Sequence, residues 1–433
     1  MKTALYNPSS NTHTKLDENR KAPQKTSAIC RGCGRQGLRT ILDMGPMPLA
    51  NALLDEKQRG AAEPKVPLVL AFCPGCSLVQ ITETVPAKAL FQHYVYFSSF
   101  SDTVLHESRE LAQRMRSARQ LDQASRVLEI ASNDGYLLQF YRDAGIPVLG
   151  VEPAENIARV ARERGIDTIC QFFGPELARK LQGGGRQADV IHANNVLAHA
   201  EDLSGFLDGI QTALKPDGMA VIEVPSVKQM IEHLEFDTIY HEHLCYFSLL
   251  SLDPLFKAHG LAITDAEPLA IHGGSLRLFV EHASKRPLRA RRIQELLAVE
   301  KACGLTSFEF YESFASKVEE LKGRLTGQLK ALKAQGHRIA AYGASAKGTT
   351  LLNYFGIGRE TLDFVADRST VKQGLCTPGT HLPIYPPEKL LEAMPDYVLV
   401  LTWNFVDEIL AQQTEYRRRG GRFIVPIPEL RAI

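Results

Sequence analysis

The amino-acid sequence predicts an α/β protein with three domains: a small N-terminal domain built around cysteines, a central doubly wound domain and a smaller C-terminal α/β domain. Strand-like apolar runs alternate with helical stretches in two separate series, which is the pattern of sheets covered by helices. Two closely spaced cysteine pairs occupy a loop-rich segment before the first series. The length of 433 residues leaves room for two to four domains of ordinary size.

The sequence pattern divides the chain into four segments. Residues 1–28 are polar and are predicted to form a flexible tail. Residues 29–100 form the cysteine-containing domain, and residues 101–285 form the central domain. Residues 286–433 begin as a helical linker and continue as the C-terminal α/β domain.

The central and C-terminal domains each show the alternation of strands and helices. In the central domain, a helix at 104–121 precedes predicted strands at 126–130, 148–151, 168–170, 188–192 and 219–224. The helices between them are predicted at 135–144, 156–164 and 203–214. The C-terminal strands are predicted at 338–342, 362–366, 397–401 and 422–425. Strands joined by helices favour parallel sheets with both faces covered.

The charge balance and the apolar content argue against two kinds of partner. Fifty basic residues against 49 acidic residues give a net charge of +1, which supplies no overall field for binding nucleic acid. No apolar run approaches the roughly 18 residues of a membrane span. The polar N-terminus lacks the apolar core of a signal peptide, and eight cysteines are too few for a disulfide scaffold. We therefore expect a cytoplasmic protein that binds neither nucleic acid nor membrane.

The two cysteine pairs predict a metal site. Each pair has the C-x-x-C spacing, with a glycine where the chain must turn tightly around an ion, and the four residues are Cys30, Cys33, Cys73 and Cys76. Four thiolates suit tetrahedral Zn²⁺ and leave no open position for water or substrate. The zinc ion is therefore expected to be structural. A redox dithiol, the alternative, would leave the second pair unexplained.

A polar turn after the first central strand predicts a cofactor site. The residues assigned to the cofactor are Glu129, within the strand, and Ser132, Asn133, Asp134 and Gly135, in the turn. In a parallel sheet, the turn at the carboxyl end of this strand is where a nucleotide-like ligand binds.

The end of the next strand carries Glu152, whose carboxylate can accept hydrogen bonds from ribose hydroxyls or, alternatively, cap the following helix. A ribose is present in both a dinucleotide and S-adenosylmethionine. The turn contains a single glycine, Gly135, which suits a pyrophosphate poorly. S-adenosylmethionine is therefore the favoured cofactor.

Groups suited to proton transfer follow the fourth and fifth central strands. They belong to the segments N-N-V-L-A-H and Y-H-E-H and comprise Asn194, Asn195, His199, Tyr240, His241, Glu242 and His243. Both segments lie on the carboxyl side of the predicted sheet, so they can converge on one crevice. A second zinc site is a rival interpretation for the histidines, but cysteine or suitably spaced carboxylate ligands are lacking.

With these motifs, the chain resembles the S-adenosylmethionine-dependent sugar C-methyltransferases that act on nucleotide-linked 4-keto-deoxysugars. The resemblance covers nearly the whole chain after the tail and includes the cysteine pairs, the E-I-x-S-N-D-G turn, N-V-L-A-H, Y-H-E-H and the Y-G-A-S-A-K-G turn at 342–348. Ala131 departs from the family, which often has glycine at this position of the turn. The resemblance implies a Rossmann-like methyltransferase domain at 101–285.

The resemblance also implies the residues of the sugar site. They are Asn195, His199, Tyr240, Glu242 and His243, with Tyr94, or alternatively Tyr96, from the side of the zinc-binding domain. The implied reaction moves a methyl group to a ring carbon, expected to be C3, beside the ketone of a nucleotide-linked 4-keto-6-deoxysugar. The carbon is first deprotonated to an enolate.

This chemistry requires a base at the carbon and hydrogen-bond donors at the ketone oxygen. We assign His243 as the base, Tyr240 and His199 as oxyanion-stabilising or relay groups, and Glu242 as an orienting group or sugar ligand. Tyr240 and His241 stay open as alternative bases. We assign Asn194 to the cofactor and His241 to the substrate.

The turn that begins at Gly343 resembles a phosphate cradle, in which Ser345 and Lys347 would bind the diphosphate of the sugar nucleotide. A tight structural turn with a solvent-facing lysine is the alternative. Two other functions are considered for the whole chain. An NAD-dependent nucleotide-sugar dehydrogenase would need a glycine-richer first turn, and a zinc-ribbon nucleic-acid-binding protein would need a basic face. The sequence leaves the oligomeric state open.

Overall fold

The structure, a computed structural model, describes residues 28–58, 60–92, 94–270 and 273–433. The predicted flexible tail, residues 1–28, lies outside the described residues except for its last one. The strands of the described residues are β1 (Arg39–Pro48), β2 (Lys65–Phe72), β3 (Val79–Ile81), β4 (Val127–Ile130), β5 (Val148–Val151), β6 (Thr168–Ile169), β7 (Ala188–Asn194), β8 (Leu214–Pro225), β9 (Cys245–Tyr246), β10 (Leu261–Leu269), β11 (Ser275–His282), β12 (Ile339–Tyr342), β13 (Val365–Ala366), β14 (Ile384–Tyr385), β15 (Tyr397–Val400), β16 (Arg422–Val425) and β17 (Arg431–Ala432).

The α-helices alternate with the strands in the central and C-terminal parts of the chain. In the described residues they are α1 (Ala87–Phe91), α2 (Asp102–Ala118), α3 (Leu138–Arg142), α4 (Glu155–Glu163), α5 (Pro175–Gly183), α6 (Leu203–Ala213), α7 (Val227–Glu232), α8 (Leu249–Ala258), α9 (Arg291–Ala302), α10 (Glu309–Glu312), α11 (Phe314–Ala334), α12 (Ala346–Phe355), α13 (Lys389–Ala393), α14 (Val406–Gln412) and α15 (Thr414–Arg418). Across the ranges given above, no helix has both the length and the apolar character to cross a lipid bilayer.

The central sheet has the order β10-β11-β8-β7-β4-β5-β6. Its strands β4 to β8 are mutually parallel, and their predicted positions are confirmed. The expectation of a wholly parallel sheet is wrong, because β11 runs antiparallel to β8 and β10 antiparallel to β11. Strand β10 ends at Leu269 and β11 begins at Ser275, and a connection this short allows only antiparallel pairing.

Both faces of the central sheet are covered by helices, as predicted. Successive side chains of a strand point to opposite faces. In β4, Val127 packs with apolar residues of α2 and α3, whereas Leu128 packs in the cluster that contains residues of α5 and α6. In the sheet, β4 lies between β5 and β7. The connections that leave β4 and β7 therefore run to opposite sides, and a crevice opens between them at the carboxyl ends of these strands.

The N-terminal sheet contains a strand from a distant part of the chain. Its order is β1-β2-β3-β9, in which β9 lies directly after the Y-H-E-H segment. Val79 pairs with Tyr246 and Gln80 with Cys245. This pairing brings the Y-H-E-H segment against the N-terminal domain.

The C-terminal sheet has the order β14-β13-β12-β15-β16-β17. Strands β12 to β16 pair in parallel, and β17 closes the edge in the antiparallel direction. The strand predicted at 362–366 is shorter than expected, because only Val365 and Ala366 pair with β14, which is itself two residues long. Helix α12 begins directly after the Gly343 turn, at the carboxyl end of β12.

The four predicted metal ligands lie together at one end of the N-terminal sheet. Their sulfur atoms all lie within 4.8 Å of one another. The Cys30 and Cys76 Sγ atoms are 3.5 Å apart, and those of Cys33 and Cys73 are 3.6 Å apart. Sulfurs bound tetrahedrally at about 2.3 Å from Zn²⁺ are about 3.8 Å from each other, so the arrangement fits a zinc ion.

The purified protein should contain one zinc ion per chain, measured by elemental analysis. The Cys73→Ser variant should lose the zinc and unfold at lower temperature, with a loss of more than about 3 kcal/mol, because losing a metal belongs among the large single-substitution effects. The matched control is Cys303→Ser, which alters an exposed cysteine outside the site. Folded wild-type protein without zinc, or equal stability of the two variants, would contradict the assignment.

Candidate functional site

A cavity of about 640 Å³ opens at the carboxyl ends of the central strands. Residues of all three sheet-containing domains form its wall, so the cavity exists only where the domains meet. The residues of its wall that matter below are Asn51, Tyr94, Asn133, Glu152, Asn194, Asn195, His199, Tyr240, His243, Ser345, Lys347, Arg368 and Lys372.

The turn after β4 adopts left-handed backbone conformations. Ala131, Asn133 and Gly135 have φ values of 55°, 48° and 81°. An added Cβ at Gly135 would lie 2.7 Å from Ile166 Cγ1, so glycine is required there by both conformation and space. Ala131 adopts a left-handed conformation that glycine tolerates better than alanine.

Glu152 holds the turn in place through its carboxylate. Its Oε2 accepts a hydrogen bond of 2.9 Å from the Asn133 backbone N–H, and its Oε1 accepts one of 2.9 Å from the Ala154 N–H. Burial raises the pKa of Glu152 to about 7. A carboxylate has about four acceptor positions, so Glu152 keeps capacity for hydroxyl donors in the cavity while it caps the two amides.

The structure brings some of the predicted cofactor residues to the cavity and leaves others beneath it. Asn133, Glu152 and Asn194 line the wall, whereas Glu129, Ser132, Asp134 and Gly135 do not. Asp134 is fully buried and its Oδ2 bonds to Arg164 at 2.7 Å and to the Ser99 hydroxyl at 2.5 Å. Glu129 therefore lies within β4, and Ser132, Asp134 and Gly135 form the part of the turn that does not reach the cavity.

The wall also carries buried acceptors without a protein donor. The Asn194 Oδ1 and Asn195 Oδ1 atoms have no hydrogen-bond partner among the described residues. Buried polar atoms are normally paired, so these oxygens fit a ligand that brings donors. The ammonium group and ribose hydroxyls of S-adenosylmethionine are such donors, and with Glu152 the residues present fit this cofactor.

Tyr240 and His243 form a hydrogen-bonded pair on the cavity wall. The Tyr240 hydroxyl lies 2.8 Å from His243 Nε2, and His243 Nδ1 lies 3.0 Å from the Thr238 carbonyl oxygen. A carbonyl can only accept, so Nδ1 carries a proton. In the neutral ring, Nε2 is then the acceptor and Tyr240 donates to it. The Thr238 carbonyl, which also accepts from the Tyr246 hydroxyl, therefore fixes the tautomer.

His199 lies beside this pair. The ring centroids of His199 and His243 are 4.8 Å apart in an edge-to-face arrangement. Burial lowers the pKa of His199 to about 4, so its ring is neutral near pH 7. The segments after β7 and β8 thus converge on the same side of the cavity.

Glu242 lies behind the wall and is held by two residues that do line it. Its Oε1 accepts from Asn51 Nδ2 at 2.7 Å, and its Oε2 accepts from the Tyr94 hydroxyl at 3.0 Å. Asn51 was not predicted from the sequence, because a lone asparagine 191 positions before its partner gives no signal. Tyr94, rather than its alternative Tyr96, makes this contact.

His241 does not reach the cavity. Its Nε2 lies 3.1 Å from the Val66 carbonyl oxygen and 3.3 Å from that of Pro67, on β2. Its side chain therefore joins the Y-H-E-H segment to the N-terminal sheet, and the structure gives it no place beside the proton-transfer groups.

The Gly343 turn meets the cavity on the C-terminal side. Ser345 accepts from the Gly348 N–H and caps α12, and the Lys347 ammonium lies 4.5 Å from the centroid of the Trp403 ring. Burial lowers the pKa of Lys347, while the charges of Asp237 and Glu235 oppose this shift. Lys347 is half-buried on the cavity wall, and its assignment to a phosphate or to a structural turn stays a prediction. Arg368 and Lys372 also line this part of the wall, where Arg368 pairs with Glu408 at 3.0 Å and Lys372 lies 3.8 Å from Asp367.

Comparison with known proteins finds similarity in each part of the chain. A zinc binding domain family matches residues 30–91, a methyltransferase domain family matches residues 104–266, and the family described as C-methyltransferase C-terminal domain matches residues 270–428. Among curated proteins, C-methyltransferase NovU of Streptomyces niveus is 35% identical over 404 residues, which are 93% of this chain and 96% of NovU.

Solved structures of methyltransferases match part of the chain. Magnesium protoporphyrin IX methyltransferase (ChlM) from Synechocystis PCC 6803 with bound SAM is 12% identical, and the match covers 41% of this chain and 78% of that chain with a TM-score of 0.32. The CcbJ methyltransferase from Streptomyces caelestis is 16% identical, with 41% and 89% covered and a TM-score of 0.32.

The similarity to NovU extends through the cysteine-containing domain, the cofactor turn and the C-terminal domain, in one continuous relationship. The three family matches follow the same order along the chain. The protein is therefore an enzyme that belongs to the S-adenosylmethionine-dependent C-methyltransferases.

Proposed function

We propose that this enzyme methylates a ring carbon, C3, beside the ketone of a nucleotide-linked 4-keto-6-deoxysugar. The observation that carries the proposal is the Tyr240–His243 pair, which combines a proton acceptor of fixed tautomer with a hydroxyl donor at one side of a cavity large enough for cofactor and sugar. A carbon beside a ketone is acidic enough for such a base, whereas an isolated ring carbon is not.

The residues of the pair have distinct roles in the proposed reaction. His243 Nε2 takes the proton from the ring carbon, and the electrons of the broken C–H bond form an enolate. The Tyr240 hydroxyl turns from Nε2 to the ketone oxygen as the sugar enters, and donates to the developing oxyanion. S-adenosylmethionine, when bound, supplies the electrophilic methyl group that the enolate carbon accepts.

The surroundings of the pair favour this chemistry. His199 is neutral near pH 7, so it can donate or relay a proton without placing a positive charge beside His243. Burial removes water that would compete for the enolate oxygen, and it strengthens each hydrogen bond inside the cavity.

The C-terminal side of the cavity supports a nucleotide diphosphate on the substrate. The N-terminus of α12, with Ser345 and Lys347, faces the cavity together with Arg368 and Lys372. Helix N-termini and cations both favour phosphate oxygens. We propose that this side binds the diphosphate while the sugar ring lies near Tyr240.

Four zinc-binding thiols suit a reducing compartment, and we place the enzyme in the cytoplasm.

The function is tested by incubating the enzyme and S-adenosylmethionine with a panel of nucleotide-linked 4-keto-6-deoxysugars. Mass spectrometry should show the gain of one methyl group, and NMR of the product should place it on C3. The matched control is the same panel with the ketone reduced to a hydroxyl, which should give no product. A methyl group on oxygen, or equal methylation of the reduced sugars, would contradict the proposal.

The His243→Ala variant should lose about 10² to 10⁴-fold in turnover, the range of general base catalysis, while it still binds cofactor and sugar. With the keto sugar methylated in the panel, it should also stop exchanging the proton beside the ketone with deuterated solvent. His106→Ala, at an exposed position of α2, is the control and should exchange normally. Exchange by His243→Ala at the wild-type rate would assign the base to Tyr240.

The Glu152→Gln variant should bind S-adenosylmethionine about tenfold or more weakly, measured by calorimetry, because charge-assisted hydrogen bonds of about 1.5 to 3 kcal/mol each are lost. Since the pKa of Glu152 is about 7 and the ionised form binds better, wild-type affinity should fall as the pH decreases from 8 to 6. This part of the pH dependence should vanish in the variant. Glu155→Gln, which alters an exposed carboxylate nearby, is the control. An unchanged dissociation constant would show that Glu152 only accepts hydrogen bonds from the Asn133 and Ala154 backbone amides and does not bind the cofactor.

A further inference from the structure

Glu242 is a buried carboxylate whose two oxygens are each bound by one residue of the cavity wall. Its residue surface is 3% exposed, and the donors are Asn51 Nδ2 on Oε1 and the Tyr94 hydroxyl on Oε2. A carboxylate that accepts from two donors is favoured in its ionised form, which opposes the cost of burial. The two donors therefore stabilise the ionised form of Glu242 against its burial, and the bond to Oε2 holds the Tyr94 hydroxyl toward the carboxylate.

Asn51 comes from the N-terminal domain, at the end of the β1–β2 hairpin opposite the zinc ligands. Cys73 follows β2 at one end of the hairpin, and Asn51 follows β1 at the other end. The eight residues of β2 separate these ends by roughly 25 Å, at 3.3 Å per residue. Three residues later, Leu54 exchanges two backbone hydrogen bonds, of 2.9 and 2.8 Å, with Cys376 of the C-terminal domain. Asn51 is thus anchored by two domains while it bonds to a third.

Tyr94 is anchored in a comparable way. Its backbone N–H donates to Asn156 Oδ1 at 3.1 Å, and its carbonyl accepts from Asn156 Nδ2 at 2.7 Å, which ties it to α4 of the central domain. The Tyr94 hydroxyl can bind Glu242 only if the carboxylate oxygens are oriented toward it. Asn51, by holding the other oxygen, sets that orientation.

We propose that Asn51 is a positioning residue of the methyl-transfer site, which acts through Glu242 on Tyr94. The inference rests on the proposed function, because it assigns Tyr94 to the sugar side of the cavity. The zinc-binding domain thereby contributes to catalysis through the Asn51 amide, far from its metal site. The contacts among Asn51, Glu242 and Tyr94 form only when all three domains are assembled.

Several charged and titratable groups lie close to Glu242 and affect its pKa. Burial raises its pKa to about 7, and the hydrogen bonds from Asn51 and Tyr94 and the charge of Lys372 lower it. Tyr240 lies close enough for its own pKa to be raised by the Glu242 charge. His199 contacts the backbone of Glu242. Among these groups, Asn51 is the one that can be substituted while Tyr94, the proton-transfer residues and the cations all stay unchanged.

The test is an infrared pH titration of full-length, zinc-loaded protein labelled with ¹³C-glutamate. The Glu242 band is identified by its absence in Glu242→Gln. In the wild type it should titrate near pH 7. In Asn51→Leu, which keeps the size and removes the donor, the midpoint should rise by about one pH unit, or tenfold in the ionisation constant. The Glu152 band should stay near pH 7 as an internal control.

Two further variants separate positioning from folding. Asn51→Asp keeps the size and polarity but places two carboxyl groups together, so part of the titration should move above the wild-type midpoint. Asp55→Ala disturbs the same loop, whose turn its carboxylate caps at Lys57 and Gln58, and should leave the Glu242 midpoint unchanged. An unshifted Glu242 midpoint in both Asn51 variants would overturn the inference.

The titration requires no sugar, so it decides the inference even if the panel of keto sugars contradicts the proposed function. With a methylated sugar from that panel, the acid limb of the kcat/KM profile of Asn51→Leu should move to higher pH. A profile that falls evenly at all pH values would show a merely structural role for Asn51 and would overturn the inference.

Discussion

The residues on either side of the Y-H-E-H segment are held by hydrogen bonds from all three domains, and the rest of the site depends on this constraint. The Leu244 N–H donates to the Ala198 carbonyl of the central domain, and its own carbonyl accepts from Ile81 of the N-terminal domain, at 2.8 and 3.0 Å. From the C-terminal domain, Trp403 Nε1 donates to Asp237 at 2.8 Å and the Thr350 hydroxyl to the Ile239 carbonyl at 3.3 Å. These bonds fix the backbone on both sides of Tyr240 and His243 before substrate arrives, so the proposed reaction requires only a turn of the Tyr240 hydroxyl.

Burial at the domain junction also sets the charges of the site. It raises the pKa values of Glu152 and Glu242 to about 7 and lowers that of His199 to about 4. The same physical cause thus keeps the histidine neutral and the two carboxyl groups close to their titration points near neutral pH. Donors from the chain, such as Asn51, then decide how far each carboxyl group is ionised. Pairs of titratable groups tuned in this way are typical of proton-transfer sites.

The sequence predicted those features that short spacing encodes. The zinc ligands, the parallel strands β4 to β8 and the position of the cofactor turn follow from patterns within a few residues. The sequence could not predict contacts between distant segments. Asn51 meets Glu242 across 191 positions, and β9 joins a sheet whose other strands end at Ile81. The tautomer of His243 depends on a backbone carbonyl, that of Thr238, which no side-chain pattern marks. The sequence also could not place the Lys347 ammonium 4.5 Å from the centroid of the Trp403 ring, because this contact joins two separate turns of the C-terminal domain.

The central claim is that His243, in its neutral form, carries its proton on Nδ1 and uses Nε2 as the acceptor that faces the reacting carbon. The most direct measurement is ¹⁵N NMR of the imidazole nitrogens in histidine-labelled enzyme, with the His243 signals identified by their loss in His243→Ala. The account predicts a protonated Nδ1 that hydrogen-bonds to a carbonyl and an Nε2 without a bound proton in the neutral ring. A neutral His243 with its proton on Nε2 would contradict it, because that nitrogen could then not accept a proton from the sugar.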